Sequence, residues 1–275
     1  MLMWLLSVAS RKISLVFDAQ SQITEIDLES VNVVAPLQRR FDKKFLLDEK
    51  NLESLIPKLL ELEQFDWRVL TIEQEREFLY STTYFDDNLL TYWDHLKGKR
   101  LRFKIRSREY PNNGPVMLEV KTKTGRGMSD KHRLLRDQNS GIQSAESEWV
   151  TDCLSACQIR HLGGPFEPAL TLSYSRTTLV AVSIGERLTI DRLLAVSQAH
   201  QASNGPSNFD LLPDSVVLEV KSNRPSSNIS KLLYQNRYHP QSLSKYCLGI
   251  AAANNSLDRG MLRAAERQMR RLAAR

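Results

Sequence analysis

The segment Arg100-Leu101-Arg102-Phe103-Lys104-Ile105-Arg106-Ser107-Arg108-Glu109-Tyr110 constrains this chain more than any other. Side chains of an extended strand point alternately to opposite faces. Arg100, Arg102, Lys104, Arg106 and Arg108 therefore share one face, and Leu101, Phe103 and Ile105 share the other. A solvated face ordinarily mixes signs, because like charges on neighbouring positions repel. Five cations with no acid among them form an unusual solvent face, although charge runs are often merely solvated.

Other segments repeat the design. Leu118-Glu119-Val120-Lys121 recurs as Leu218-Glu219-Val220-Lys221, each with two apolar residues on one face and a Glu/Lys pair on the other. Arg40, Asp42 and Lys44 alternate with Phe41 and Phe45, and Arg187, Thr189 and Asp191 share a face in the same way. Charge is concentrated accordingly. The whole chain of 275 residues is +6, whereas residues 99–136 hold twelve Lys/Arg against three acids. The stretch 258–275 adds six Arg against two acids, which leaves the rest of the chain net acidic. A field gathered into one element points to a polyanionic ligand more than to a generally basic surface.

Closing such strands into a barrel with the charged faces inward makes a cationic tunnel, with the apolar faces packed under external helices. Cations in a low-dielectric cavity need an anion among them. Arginine forks match phosphate oxygens. A few carboxylates among them suit Mn²⁺ or Mg²⁺, which bind through one or two carboxylates plus phosphates and water. No Walker-type glycine loop is present, so phosphates would be gripped by side chains.

Strands are expected at 40–47, 76–85, 100–110, 116–124, 170–176, 178–184, 186–191 and 216–222. Helices are expected at 52–62 (limited by Pro57), 89–97, 147–162, 229–234 and 258–274. Many strands with few βαβ alternations predict an α+β fold: an antiparallel closed β-barrel with helices packed outside. Three regions are expected: an N-terminal extension over 1–38, a barrel domain over 39–256 and a basic C-terminal helix over 257–275. The basic helix reads as a solvated face, with Met261, Leu262, Met269 and Leu272 packed on the barrel. Cys153, Cys157 and Cys247 cannot all pair and read as thiols of a reducing compartment, and no transmembrane segment is evident, so a cytoplasmic site is expected. The five histidines show no ligand spacing and read as surface groups.

The motifs, in order, resemble the VTC domain, the catalytic domain of polyphosphate polymerases, within the CYTH-like triphosphate tunnel metalloenzymes. Arg40-Phe41-Asp42-Lys43-Lys44-Phe45 resembles that family's opening strand, and Ser81-Thr82-Thr83-Tyr84-Phe85-Asp86 its S-x-x-Y-F-D block. Lys104 to Tyr110 resembles its R-x-R-x-Y strand, and Glu119-Val120-Lys121 with Lys131-His132-Arg133 its E-x-K and K-x-R pair. Tyr174-Ser175-Arg176, Arg187 to Asp191, Glu219-Val220-Lys221 and Ser244-Lys245-Tyr246 complete the series over residues 40–249. The resemblance implies that Lys44, Arg106, Arg108, Lys121, Lys131, Arg133, Arg176 and Arg187 hold phosphates and that Tyr174 adds a hydroxyl. It implies Glu219 as the ligand of Mn²⁺ or Mg²⁺, and Ser244 with Lys245 at the γ-phosphate. Lys245, Arg106, Arg108 and Glu219 would carry catalysis. The implied reaction transfers phosphate from ATP to inorganic polyphosphate, so the expected partners are ATP and polyphosphate, not nucleic acid.

Tunnel triphosphatases usually open with E-x-E-x-K, whereas here those acidic positions hold Arg40 and Asp42, a departure that leans toward the polymerase branch. The chain resembles the stand-alone bacterial form, without a phosphate-sensing SPX domain or membrane spans. Two alternatives remain: a tunnel triphosphatase, and a non-catalytic polyanion-binding module.

Overall fold

The protein is described by a computed structural model that places residues 23–36, 40–110, 114–123, 129–137, 141–198 and 208–274. The strands are β1 (Thr24–Ile26), β2 (Phe41–Asp48), β3 (Trp67–Leu70), β4 (Glu77–Asp86), β5 (Arg102–Glu109) and β6 (Val116–Lys123). They continue with β7 (Ser129–Arg136), β8 (Glu167–Ala181), β9 (Glu186–Gln198), β10 (Phe209–Asp210) and β11 (Ser215–Ser222). The helices are α1 (Leu28–Val34), α2 (Glu49–Leu60), α3 (Leu90–Leu96), α4 (Ser144–Ala156), α5 (Asn228–Gln235), α6 (Lys245–Ala253) and α7 (Gly260–Ala273).

One sheet runs β2-β11-β9-β8-β4-β5-β6-β7, with β3 on β8, β10 on β9, and β1 pairing β3 in parallel. Every pairing along the main path is antiparallel. The expectation of an antiparallel α+β fold therefore holds, and α2, α4 and α5 pack on the apolar outer face, but α6 packs on the opposite, charged face. Backbone pairing does not confirm the expected closure of the barrel: among the described residues none joins β2 to β7, so hydrogen bonds do not close the sheet. The free edge of β2 is covered in another way. Gln241 N donates to Lys44 O at 2.7 Å. Helix α7 lies against β2, and its Met269 packs on the apolar clusters of both faces of the sheet. Covering an exposed edge removes a template for pairing with other chains.

The alternation seen in the sequence becomes two faces. On the convex face Phe45, Leu47, Leu188, Ile190, Leu218 and Val220 pack against Leu52, Leu55, Ile56 and Leu59 of α2 and Ile229 and Leu233 of α5. Phe103, Ile105, Leu118 and Val120 pack under Val150, Cys153 and Leu154 of α4. Each fully buried aliphatic side chain of this kind contributes about 1.5–3 kcal/mol. The Asp48 carboxylate caps α2 by accepting from Asn51 N at 2.7 Å, which turns the chain from β2 straight into its covering helix.

On the concave face one region is filled by α6, whose Tyr246, Cys247, Ile250 and Ala251 join Tyr84, Leu170, Leu172 and Val217 in a second core. Gly249 allows that approach, because a methyl group there would overlap Leu170. The rest of the concave face carries the charges.

Several elements differ from the sequence reading. The strands expected at 170–176 and 178–184 are one strand, β8, kept continuous by pairing with β4 and β3 on one side and β9 on the other. Strand β7 and helix α6 are not among the expected elements. Helix α4 starts at Ser144 and stops at Ala156, where Cys157 leaves the helix and Gln158 turns left-handed at φ 57°. Residues 23–36 of the expected extension add β1 and α1, with Val31 and Ala35 in a small core with Val180 and Phe78. The remainder of that extension, residues 1–22 and 37–38, lies outside the described residues. Leu262 and Leu272 of α7 are buried, as its amphipathic pattern implies, and among the described residues no helix is long and apolar enough to cross a membrane.

Candidate functional site: a cationic concave face

Register places the concave side chains in rows. The β5–β6 and β6–β7 pairings set Lys104, Lys121 and Lys131 side by side, and Arg106, Glu119 and Arg133 in the next row. Like charges directly opposed on a sheet destabilise it, so the lysine row is built at a cost. Around it opens a cavity of about 460 Å³ between the start of β2, the ends of β5 and β6, and the segment leading into α6. Among the described residues its lining includes Arg40, Lys43, Lys44, Arg102, Lys104, Lys121 and Lys123, with Asp42 as the one carboxylate.

The lysines there show the crowding. Burial, joined by Lys44, Lys121 and Arg106, pushes Lys104 down to about 7. Its ammonium donates to Ser244 Oγ at 2.9 Å. Lys44 is lowered by burial and by Lys245 and Lys121, with Glu219 pulling the other way, and it donates to Leu243 O at 2.9 Å. Lys121 reaches across to Asp42 at 3.2 Å and so links β6 to β2. His95 lines the same cavity as a neutral ring: burial, then Lys104, hold it down at about 2. Its Nε2 faces Phe103 O at 3.0 Å, and Arg102 Nε donates to its Nδ1 at 3.2 Å. The expectation that the histidines are surface groups fails for His95, a half-buried ring with both nitrogens engaged in this wall.

Farther along β5 the cations are arginines and carry their own carboxylates. Glu119 is fully buried. It pairs with Arg106 at 2.6 Å, Arg133 at 3.2 Å and Lys131, and accepts from Tyr110 OH at 3.3 Å. Burial alone would raise this carboxyl, but Arg106, Arg108 and Lys131 hold it well below the carboxylate range. Lys131 is pushed down to about 6 by burial and by Arg106, against the pull of Glu119. Arg108 donates to Tyr174 OH at 2.8 Å and to Thr82 Oγ1 at 3.3 Å. Asp191, also fully buried, takes Arg176 through two bonds of 2.5 and 2.8 Å and pairs with Lys245. Burial opposes its ionisation, yet Arg176 and Lys245 keep it ionised.

The two copies of the Leu-Glu-Val-Lys quartet meet different fates. Glu119 is shared by three cations, whereas among the described residues Lys221, at 2.9 Å, is the one ion-pair partner of Glu219. Burial would raise the Glu219 carboxyl, but Lys221, Lys44, Arg176 and Lys121 hold it ionised. Asp42 sits on the adjacent strand, paired with Arg40 at 2.7 Å. Burial and Glu219 raise the Asp42 carboxyl, and Lys121 and Arg40 bring it below its usual value. Among the described residues no three His, Cys, Asp or Glu groups gather to hold a metal by themselves. Glu219 with Asp42 nearby fits an ion that takes most of its ligands from phosphate and water, as Mg²⁺ and Mn²⁺ do.

The site residues read from the sequence thus fall into place as follows. Lys44, Arg106, Arg108, Lys121, Lys131, Tyr174, Arg176, Glu219, Ser244 and Lys245 come together on the concave face or at its filled end. Ser244 caps α6, accepting from Cys247 N at 3.2 Å, and so sets Lys245 in the first turn. Arg133 sits at the rim, with its side chain 53% exposed. Arg187 does not join the group: its guanidinium donates to Val31 O at 3.0 Å, which also accepts from Ala35 N, and to Ala35 O at the C-terminal end of α1. Lys104 and Asp191 matter more here than the sequence reading allowed. Lys104 belongs to the alternating face of β5; Asp191 meets Arg176 across the β8–β9 pairing, and the docking of α6 brings Lys245 to the same carboxylate.

A protein from Hippeastrum, provisionally named an adenylyl cyclase and described as having a dominant triphosphatase activity, is 13% identical. Its match covers 78% of this chain and 96% of that one with a TM-score of 0.45. A provisionally named adenylate cyclase from Bacillus halodurans is 15% identical over 73% of this chain and 89% of that one, with a TM-score of 0.41. No curated protein matches the sequence. The VTC domain model matches residues 39–254, which take in every charged strand from β2 to β11 and the helix α6 that carries Lys245. This chain belongs to the VTC domain family.

Proposed function

We propose that this protein is a polyphosphate polymerase that transfers the γ-phosphoryl group of ATP to the end of a polyphosphate chain. The observation that supports this reading best is the row Lys104, Lys121 and Lys131 beside a cavity lined, among the described residues, by seven cations and one carboxylate. Such a surface is poised for a chain of phosphates, whose charges relieve its self-repulsion. Arg106, Arg108 and Arg176 offer planar forks to phosphate oxygens, and Lys44, Lys121 and Lys131 offer point charges. Lys245, at the first turn of α6, adds its charge where the helix dipole also favours an anion.

In the reaction a terminal oxygen of the chain bonds to the γ-phosphorus, the bond to the β-phosphate oxygen breaks, and ADP leaves. The protein supplies position and charge neutralisation and no covalent group. Glu219, with Asp42 beside it, would hold Mn²⁺ or Mg²⁺, which neutralises charge on the β- and γ-phosphates when bound. Asp42 is engaged by Arg40 and Lys121, an arrangement that disfavours activation of water and hence plain hydrolysis.

The test is incubation of the pure protein with ATP and Mn²⁺ or Mg²⁺, followed by a gel stained for polyphosphate. Chains grow with the native protein and fail to grow with Glu219→Gln or Lys245→Ala. Free phosphate without chain growth would mark a triphosphatase instead, and binding of tripolyphosphate without turnover would mark a binding module.

A further inference from the structure

The concave face ends differently at its two extremities. Six residues along β5 from Lys104, a distance of roughly 20 Å at strand rise, the row of cations gives way to a row of rings. The β4–β8 pairing sets Tyr80 opposite Tyr174, and the β4–β5 pairing brings Tyr80 alongside Tyr110. Tyr80 stacks on Tyr174 with centroids 5.6 Å apart and planes 16° from parallel. Tyr110 meets Tyr80 at 5.7 Å and 71°. Arg108 lies 5.3 Å from the Tyr80 ring, and Arg176 lies 5.4 Å from Tyr80 and 5.3 Å from Tyr174. Tyr174 is buried, whereas Tyr80 and Tyr110 are half-buried.

Two rings of this row are thus committed to each other and to arginines. Among the described residues Tyr110 has Tyr80 as its one aromatic partner. An edge-to-face contact occupies at most one face of a ring. The Tyr110 hydroxyl is tied to Glu119, which fixes the ring at the rim beside the half-exposed Arg133. A phosphate chain has no use for a ring face, and a nucleobase does: stacking on a fixed aromatic is its sequence-tolerant mode of capture.

We infer that Tyr110, supported by Tyr80, is the stacking platform for the nucleobase of the phosphoryl donor. The donor nucleotide then lies with its base at the tyrosine end and its triphosphate pointing along Arg108 and Arg106, and the polyphosphate chain occupies the lysine-lined cavity. This rests on the proposed reading of the site as one that takes ATP and polyphosphate, and it adds the direction in which they lie.

The experiment compares ATP and tripolyphosphate binding to the full chain by calorimetry. Tyr110→Ala weakens ATP binding about tenfold, from the range of a single base stack, and leaves tripolyphosphate binding unchanged. Tyr110→Phe, which keeps the ring and loses the bond to Glu119, keeps the native preference. Equal weakening of both ligands by Tyr110→Ala, or of neither, overturns the inference while the phosphate site stands. Failure of the native protein to bind tripolyphosphate overturns the functional reading itself. A readout free of mutation uses the triphosphate of 2-aminopurine with the native protein: its fluorescence is quenched on stacking, and binding without quenching overturns the platform.

Discussion

The lysine end and the arginine end of the concave face hold the same sign of charge in opposite ways. Around the cavity, Lys44 and Lys104 crowd with few carboxylates, and their ammonium groups are driven toward neutrality. Around Glu119 and Asp191, Arg106 and Arg176 are paired, and burial is outweighed so that they hold their protons more tightly than usual. Lysine yields a proton under desolvation and arginine does not. One end is therefore assembled and internally neutralised before any ligand arrives, while the other is left short of negative charge. The difference assigns rigidity to the arginine end and ligand-dependent charge to the lysine end.

The comparison breaks most readily at Glu119. Replacing Glu119 with Ala strands the half-buried Arg106 and Lys131 without their anion. Breaking such a pair costs about 3–5 kcal/mol, or a fall of roughly 10 °C in midpoint for a chain of this size. Thermal unfolding should show that loss in the free protein and a partial recovery with tripolyphosphate. An unchanged midpoint would mean that the arginine end is not held by its carboxylate.

A smaller effect of opposite sense is expected at the other end. Lys104→Ala removes a crowded cation whose bond to Ser244 is, among the described residues, its one hydrogen bond to a side chain. The free protein should be at least as stable as before, while tripolyphosphate binding weakens about tenfold, the scale of one charge-assisted hydrogen bond. Loss of stability together with affinity would show that Lys104 is structural.

A further test sharpens the contrast through pH. The unfolded lysine titrates near 10.4, and folded Lys104 titrates at about 7. Between those values the unfolded chain binds more protons, so the stability of the free protein rises with pH across that window. Below about 7 both states are protonated and the penalty is fully present. Phosphate binding favours the charged ammonium, so affinity for tripolyphosphate falls over the same window. Calorimetry of unfolding and of binding from pH 7 to 10 should therefore move in opposite directions, and parallel movement would exclude Lys104 as the responsive group.

Much of the site is legible in the sequence because a strand has period two. The β5 alternation alone puts Arg102, Lys104, Arg106 and Arg108 on one face, and the two Leu-Glu-Val-Lys quartets declare their apolar sides as plainly. Helix α6 escapes because Lys245-Tyr246-Cys247-Leu248-Gly249-Ile250 is apolar all round, with no polar stripe to mark a period. Strand β7 escapes because Lys131, His132 and Arg133 are all polar, so alternation cannot separate its faces. Arg187 resembles its neighbours in sequence, and only the docking of α1 shows its guanidinium committed to backbone carbonyls.

What the sequence determined by itself is which side of each strand carries charge, and hence that a cationic face exists. Which charges on it are spent was decided by tertiary structure. Glu119 and Glu219 sit in identical quartets, and each strand's local pattern is the same. Their difference arises from register: β6 lies between β5 and β7, which bring Arg106, Arg133 and Lys131 to one carboxylate, while β11 lies between β2 and β9, which bring Lys44 and Thr189 opposite the other. The same register, with α7 covering the edge of β2, gives a sheet that backbone hydrogen bonds among the described residues do not close, where the sequence pattern alone implied a closed barrel.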